Sequence, residues 1–359
     1  MTISPALEGT VVVEVSSEVR GRYCGRLFAE LGARVVRVEL PRSVLDADRP
    51  WLDPGKESVV LDWRTAAGAE LLHEICAKAD VLIEDQLDPE ATNALATDSL
   101  AAFSGLVHVS LTPFGLKGPW AGRDAHDLNI SALSGMALIN QVGDGPPVSA
   151  PGPQTEIIAA LSGFMGALAA LEERDQSGLG QVVEVSSLEA MVNVLSPQVL
   201  QQSYLRGGGS PAEVDFLFPC ANGWISLYIV ADPAWDVMVS VFELPVDADD
   251  PRFATQVARR NHFAAVRELV IPRLATYTRR ELFDMLSAMR VVCGMVMEPR
   301  DLVDDVHLLE RRAFVGVEGT DCRVPRVPIR TRGESLPENL TLAGHGDHTG
   351  AWLGRAVSR

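Results

Sequence analysis

The segment that most constrains this chain runs from Pro147 to Ser186. From Ile157 to Leu171 it carries no charge and is built of Ala, Gly, Leu, Ile, Phe, Met and one Ser. A helix of that composition is apolar on nearly every side, so it has to be packed between other elements rather than lie on a surface. A Gly-rich turn, Ser177 to Gln181, and a Val-rich strand follow it. Glu156 stands at the head of the helix. A lone acid ahead of a buried helix is costly unless it serves the helix N-terminus or does chemistry. On the residues alone both readings stay open.

The rest of the first half alternates strand and helix. Val11–Val15 is a β-rich run; Cys24, Leu27, Phe28 and Leu31 recur at helical spacing, and Gly32 ends that helix. Arg34–Glu39 is a second strand, Leu71, Leu72, Ile75 and Cys76 mark a helix, and Val81–Ile83 and Leu106–Ser110 are further strands. Repeated βα units predict an α/β domain, a Rossmann-like parallel sheet wrapped by helices, with ligands at the carboxyl ends of the strands.

The pattern changes near Pro197. Gly207-Gly208-Gly209 is a break that reads as a linker or as a mobile loop over a site. The strand Trp224–Val230 and the helical stretches Ala234–Phe242, Phe263–Tyr277 and Arg280–Met289 predict a smaller α+β domain. A Pro-rich return, Val324–Pro328, leads to a short helix at Thr349–Leu353. The expected division is 1–197 for the large domain, 198–323 for the small one and 324–359 for the return to the large domain.

A length of 359 residues suits two domains. The net charge of −17 excludes nucleic acid as a natural partner, because phosphate contacts are carried by Lys and Arg. An anionic ligand would need its own local basic residues. The uncharged run Ile157–Leu171 is shorter than the roughly 20 residues that span a bilayer. The N-terminus has no basic segment followed by an apolar one, so a soluble cytoplasmic enzyme without a signal peptide is expected. Cys24, Cys76, Cys220, Cys293 and Cys322 lack CxxC spacing and read as buried reduced thiols, with no metal site. There is no GxGxxG and no P-loop, which leaves hydride transfer and nucleotide hydrolysis without support.

Several segments, in order, carry a resemblance. Gly25–Pro41 (GRLFAELGARVVRVELP), Gly55–Asp62 (GKESVVLD), Ala79–Glu84, Phe114–Pro119, Gly178–Ser186, Cys293–Val296 and Gly346–Thr349 together resemble the family III coenzyme A transferases of the CaiB/BaiF type, the superfamily that includes α-methylacyl-CoA racemase. The resemblance covers essentially the whole chain. It implies a large CoA-binding domain, an interlocked homodimer of ring-shaped chains, and an acyl-CoA and a small carboxylic acid as substrates. Coenzyme A then enters as a thioester substrate, with no tightly bound cofactor. It also implies transfer of coenzyme A between acids through a covalent intermediate on the acid at position 156, usually Asp in the family and Glu here.

The same resemblance assigns further candidates. Ala125-His126-Asp127-Leu128-Asn129 is similar to the racemase motif GHDIN. The alternative is therefore a 2-methylacyl-CoA racemase in which His126 and Glu156 exchange the α-proton and Asp232, before Pro233, orients the His; a His of ordinary pKa suits that task. By position rather than by resemblance, Arg37 at the end of the second strand and Lys56, Arg22 and Arg42 in the same βα half are the candidates for binding coenzyme A, each also readable as a plain surface charge. Three departures from the family pattern point to a third alternative, a non-catalytic acyl-CoA-binding member. Arg20-Gly21-Arg22 stands where Ala-Gly-Pro is usual, the loop Asp85–Pro89 is acidic, and Glu156 replaces Asp.

Overall fold

The computed structural model describes residues 5–41, 47–85, 102–141, 144–204, 216–247, 249–330 and 337–354, with side chains 201–204 left aside. The chain divides into two compact units, 1–204 with 310–359, and 205–309.

Six strands form the sheet of the first unit: β1 (Val11–Val15), β2 (Arg34–Glu39), β3 (Lys56–Val60), β4 (Val81–Glu84), β5 (Val107–Thr112) and β6 (Val182–Ser186). All are parallel, in the order β3-β2-β1-β4-β5-β6. The alternation of each strand sends its valines to two cores. On one face Val12, Val35, Val81, Ile83, Val107, Val109 and Leu111 pack under the first helix (Val19–Glu30) and the long helix (Gln154–Ser177). On the other, Val13, Val15, Val36, Val38, Val59 and Leu82 pack against Leu72 and Ile75 of the helix Ala66–Cys76, and Trp352. Burying a side chain of this kind contributes about 1.5–3 kcal/mol, so two such layers fix the sheet.

The long helix is small-faced for a reason. A Cβ on Gly163 would come within 2.8 Å of Leu111 Cδ2, and one on Gly166 within 2.6 Å of Val183 Cγ1. The missing side chains let the helix lie directly on β5 and β6. Ala159, Ala160, Ala167 and Ala170 continue that close face, and Phe164 meets Phe28 edge-on at 4.8 Å. By length and composition this is the one described helix that could cross a membrane; here Ala159, Ala160, Phe164, Ala167 and Ala170 are core residues, while Leu161 and Met165 are exposed.

The first unit also holds a small sheet of β10 (Phe314–Val317), β11 (Arg323–Pro325) and β12 (Asn339–Leu340), in the order β11-β10-β12. Because β10 pairs with both β11 and β12, residues from 310 on belong with the first unit, not with the segment expected to end at 323.

The second unit is α+β. An antiparallel sheet of β7 (Leu217–Cys220), β8 (Gly223–Leu227) and β9 (Cys293–Met295) is covered by the helices Asp232–Val241, Phe263–Leu274 and Arg279–Ala288. Phe218, Ile225, Leu227, Met238, Val266, Val270, Leu282 and Leu286 form its core. Of the five free cysteines, Cys24 and Cys76 are buried, Cys220 and Cys293 are half-buried and Cys322 is exposed. The expectation of five buried thiols therefore holds for two.

Candidate active site

β1 and β4 are neighbours in the sheet although β2 and β3 lie between them in sequence. The strand order reverses direction there, and in open α/β sheets the ligand crevice forms outside the strand ends at such a point. The same place receives the N-terminus of the first helix. In dinucleotide-binding folds those free N–H groups hold phosphate. Here the chain fills them with its own carboxylates.

Asp85 follows β4 directly. Its Oδ1 accepts the Ser17 N–H and its Oδ2 the Glu18 N–H, both at 2.9 Å. Glu156 comes from the other side, in the first turn of the long helix. Its Oε2 accepts the Arg20 N–H at 3.2 Å, and its Oε1 accepts from Arg20 Nη1 at 2.8 Å. Arg20 Nε donates to the carbonyl of Leu111 in β5 at 3.1 Å. A pyrophosphate could enter only by displacing both carboxylates. That agrees with the missing Gly-rich fingerprint.

Burial sets the electrostatics. Arg20 is 1% exposed, Asp85 2% and Glu156 3%. Burial holds the Glu156 carboxyl above the usual carboxylate range; Arg20 opposes the shift and Glu18 adds to it. Burial likewise pushes Asp85 up to about 7, again against Arg20. A carboxylate stripped of water and held at a fixed angle is a better nucleophile than one in solution.

Asp127 fixes the backbone that carries Glu156. It begins the helix Asp127–Leu133, and its Oδ1 accepts the Thr155 N–H at 2.7 Å and the Thr155 hydroxyl at 2.8 Å. The carboxylate thereby caps the long helix from a neighbouring one, which satisfies a donor the helix cannot pair internally. His126 precedes it, with an exposed ring whose Nδ1 lies 3.7 Å from Glu18 Oε2. Glu156, Asp127, His126 and the first helix are thus brought to one set of strand ends.

The expected coenzyme A cations are placed otherwise. Arg22 is bidentate to Asp53, at 3.2 and 2.9 Å. Arg37 donates to the same carboxylate at 2.5 Å and lies 3.8 Å from Glu14. Lys56 Nζ donates to Glu14 at 2.6 Å and to the Arg22 carbonyl at 2.7 Å. Burial pushes the Asp53 carboxyl up, but Lys56, Arg37 and Arg22 outweigh it and hold the group below the usual range. All three cations are buried and answered by carboxylates, so their charge belongs to the packing of the first helix on β1, β2 and β3. Arg42, the Gln86–Pro89 part of the acidic loop and Gly207–Gly209 lie outside the described residues. Asp232, in the second unit, begins the helix Asp232–Val241 and is paired with Arg259, whose Nε also donates to the Val230 carbonyl at 2.9 Å. Among the described residues no group of three or more His, Cys, Asp or Glu could hold a metal ion.

Arg20, Thr155 and Asp85 are site residues that pattern reading did not assign. Arg20 carried a signal: a charge on the buried side of the first helix demands a buried partner.

Comparison with known proteins gives the same direction. The family description "CoA-transferase family III" matches residues 7–348. The chain is 27% identical to the succinyl-CoA–D-citramalate CoA-transferase of Chloroflexus aurantiacus, over 97% of this chain and 91% of that one. It is 27% identical to the succinate–glutarate CoA-transferase of Agrobacterium fabrum, over 90% and 89% of the two chains. With the formyl-CoA:oxalate CoA-transferase of Streptomyces avermitilis the identity is 26%, over 88% and 86%. Among solved structures, a CaiB/BaiF family protein from Brucella suis superposes with a TM-score of 0.85 at 26% identity, covering 97% of this chain and 98% of that one. With a match that spans nearly its whole length, the chain belongs to CoA-transferase family III.

Proposed function

We propose that this protein moves coenzyme A from an acyl-CoA to a second small carboxylic acid, with Glu156 as the nucleophile. The observation that carries the proposal is the Glu156 carboxylate itself. It is dry, held by two donors of Arg20, and set at the strand ends; the resemblance of the chain to the family puts an acid at this point.

In the first step an oxygen of Glu156 attacks the thioester carbonyl. The C–S bond breaks, the thiolate of coenzyme A leaves, and a mixed anhydride remains. The thiolate then attacks the glutamyl carbonyl, the C–O bond breaks, and the first acid is released as carboxylate. The enzyme now holds coenzyme A as a thioester of Glu156. The second acid repeats both steps in reverse order and leaves as the new acyl-CoA, with Glu156 restored. No net proton is exchanged. A carboxylate is a weak nucleophile, so the rate rests on placement, which Asp127 and Arg20 supply. The relatives that act on succinyl, glutarate and oxalate make small dicarboxylates the first acids to try.

The proposed enzyme is a soluble cytoplasmic homodimer. Leu161, Met165 and Val194 remain exposed around a groove of about 520 Å³ between the long helix and the segment Glu184–Val194. An apolar patch of that kind suits a second copy of the chain better than water. Light scattering at low micromolar concentration should give dimer and no folded monomer.

Transfer is tested against proton exchange directly. The enzyme is incubated with succinyl-CoA or a 2-methylacyl-CoA, with and without free acids, in deuterium oxide. New acyl-CoA without α-deuterium supports transfer. Deuterium wash-in that is lost in both His126→Ala and Glu156→Gln would replace it with the racemase reading.

A further inference from the structure

Arg20 is fully desolvated and holds its guanidinium against Glu156, yet Glu156 is an anion for only part of the proposed cycle. This inference rests on that cycle. In the resting enzyme the two charges cancel at 2.8 Å. Once the Glu156 oxygen is acylated it carries no charge, and the negative charge passes first to the departing thiolate and then to the released carboxylate. Arg20 does not change with it. A guanidinium stays protonated at any ordinary pH. With the side chain 1% exposed, the guanidinium is shielded from bulk water in this paired state. An unpaired buried cation is strongly unfavourable; Asp85, the other buried carboxylate whose charge acts on Arg20, also serves the Ser17 and Glu18 N–H groups, so a further anion beside the guanidinium is favoured whenever Glu156 is covalently occupied.

We propose that Arg20 is a substrate-binding residue, the group that receives the carboxylate of the acid being released or taken up while Glu156 is in its anhydride or thioester form. The geometry suits that use. The guanidinium offers five N–H donors in a planar fork, which matches a carboxylate in two-point contact. Its Nε is fixed to the Leu111 carbonyl at 3.1 Å, so the fork keeps its direction when Glu156 turns away. Its backbone N–H, the second donor to Glu156, lies at the end of a helix whose dipole favours an anion. The free acid is thereby held beside the glutamyl carbonyl it must attack. When its carboxylate oxygen forms the anhydride, the coenzyme A thiolate becomes the anion, and on the last step the charge returns to Glu156.

The test separates the two half-reactions. Wild type, Arg20→Gln and Arg20→Lys are charged with an acyl-CoA, and the Glu156 thioester is quantified by hydroxylamine trapping and mass spectrometry. Each is then mixed with free acid and discharge is followed. Loss of a charged hydrogen bond corresponds to about 10- to 100-fold in binding. Arg20→Gln should therefore raise the acid concentration for half-maximal discharge by that factor, with the KM for acyl-CoA changed much less. Its kcat/KM profile should also lose activity at higher pH than wild type on the acid side, because Arg20 opposes the upward shift of Glu156. Arg20→Lys keeps the charge without the fork and should fall between; it carries the test if Arg20→Gln does not fold. A thioester that forms and discharges with an unchanged acid requirement in Arg20→Gln or Arg20→Lys overturns the inference and leaves the transfer mechanism standing. A wild type that transfers coenzyme A with no trappable Glu156 adduct overturns both.

Discussion

Glu156→Asp removes one methylene and keeps the charge. The carboxylate withdraws by about 1.5 Å, one C–C bond. The contacts of 2.8 Å to Arg20 Nη1 and 3.2 Å to the Arg20 N–H then open beyond hydrogen-bond range. A hydrogen bond to a charged group contributes about 1.5–3 kcal/mol. Two of them set a ceiling near 6 kcal/mol, and the attraction that survives at longer range leaves an expected loss of ~2–4 kcal/mol. For a unit of this size each kcal/mol lowers Tm by about 2–4 °C, so the melt followed by circular dichroism should drop by roughly 5–15 °C. The shorter side chain also misplaces the nucleophile, and kcat/KM should fall about a hundredfold. A cycle with Arg20→Ala should show coupling of about 1–3 kcal/mol. Melting within about 1 °C of wild type, or an additive cycle, would refute the reasoning that Arg20 and Glu156 form one unit.

Lys56→Met leaves Glu14 buried without its 2.6 Å partner and should destabilise by about 3–5 kcal/mol in urea unfolding; a raised KM for acyl-CoA with unchanged stability would return Lys56 to a ligand role. Asp127→Ala frees the Thr155 N–H and hydroxyl, and should cost about 1–2 kcal/mol in a thermal melt and lower kcat more than it raises KM. Asp85 has a folded pKa of about 7 against an ordinary 3.8. The folded state thus binds the proton more tightly, and the stability that proton lends is present at low pH and lost as pH rises through 7. Relative to wild type, Asp85→Asn should therefore gain in Tm between acidic and neutral pH, and a pH-independent difference would contradict the assignment.

The sheet was legible because its strands are valine runs between amphipathic helices; the first helix, β1, β2 and β4 lie where alternation and spacing put them. β5 extends to Thr112, past the expected Ser110, and β6 was marked by the Gly-rich turn before it. Strand order was not legible, since it depends on crossovers that leave no local pattern. Glu156 could be picked out as an acid at the head of a buried helix. Its partner Arg20 is 136 positions away, and no periodicity reports such a contact. Even so, the three departures from the family pattern, at Arg20, Asp85 and Glu156, turn out to meet on one helix N-terminus. Read together in the sequence, they point to a non-catalytic member. Arg22, Arg37 and Lys56 were expected at a ligand because sequence shows charge and not burial; Glu14 and Asp53, which answer them, look like any other acids in the chain. His126 and Asp127 were found together, but the sequence did not say that Asp127 would serve the helix of Glu156.

The central claim is that Glu156 becomes covalently attached to coenzyme A. It is tested most directly by incubating the protein with a panel of acyl-CoAs, succinyl-CoA and formyl-CoA among them, then quenching with hydroxylamine or borohydride and mapping peptides by mass spectrometry. The account predicts a modified Glu156, a hydroxamate with hydroxylamine or the corresponding alcohol with borohydride, absent without acyl-CoA and absent in Glu156→Gln. Transfer of coenzyme A to a free acid with an unmodified Glu156, or with the label on another carboxylate such as Asp85 or Asp127, would contradict it.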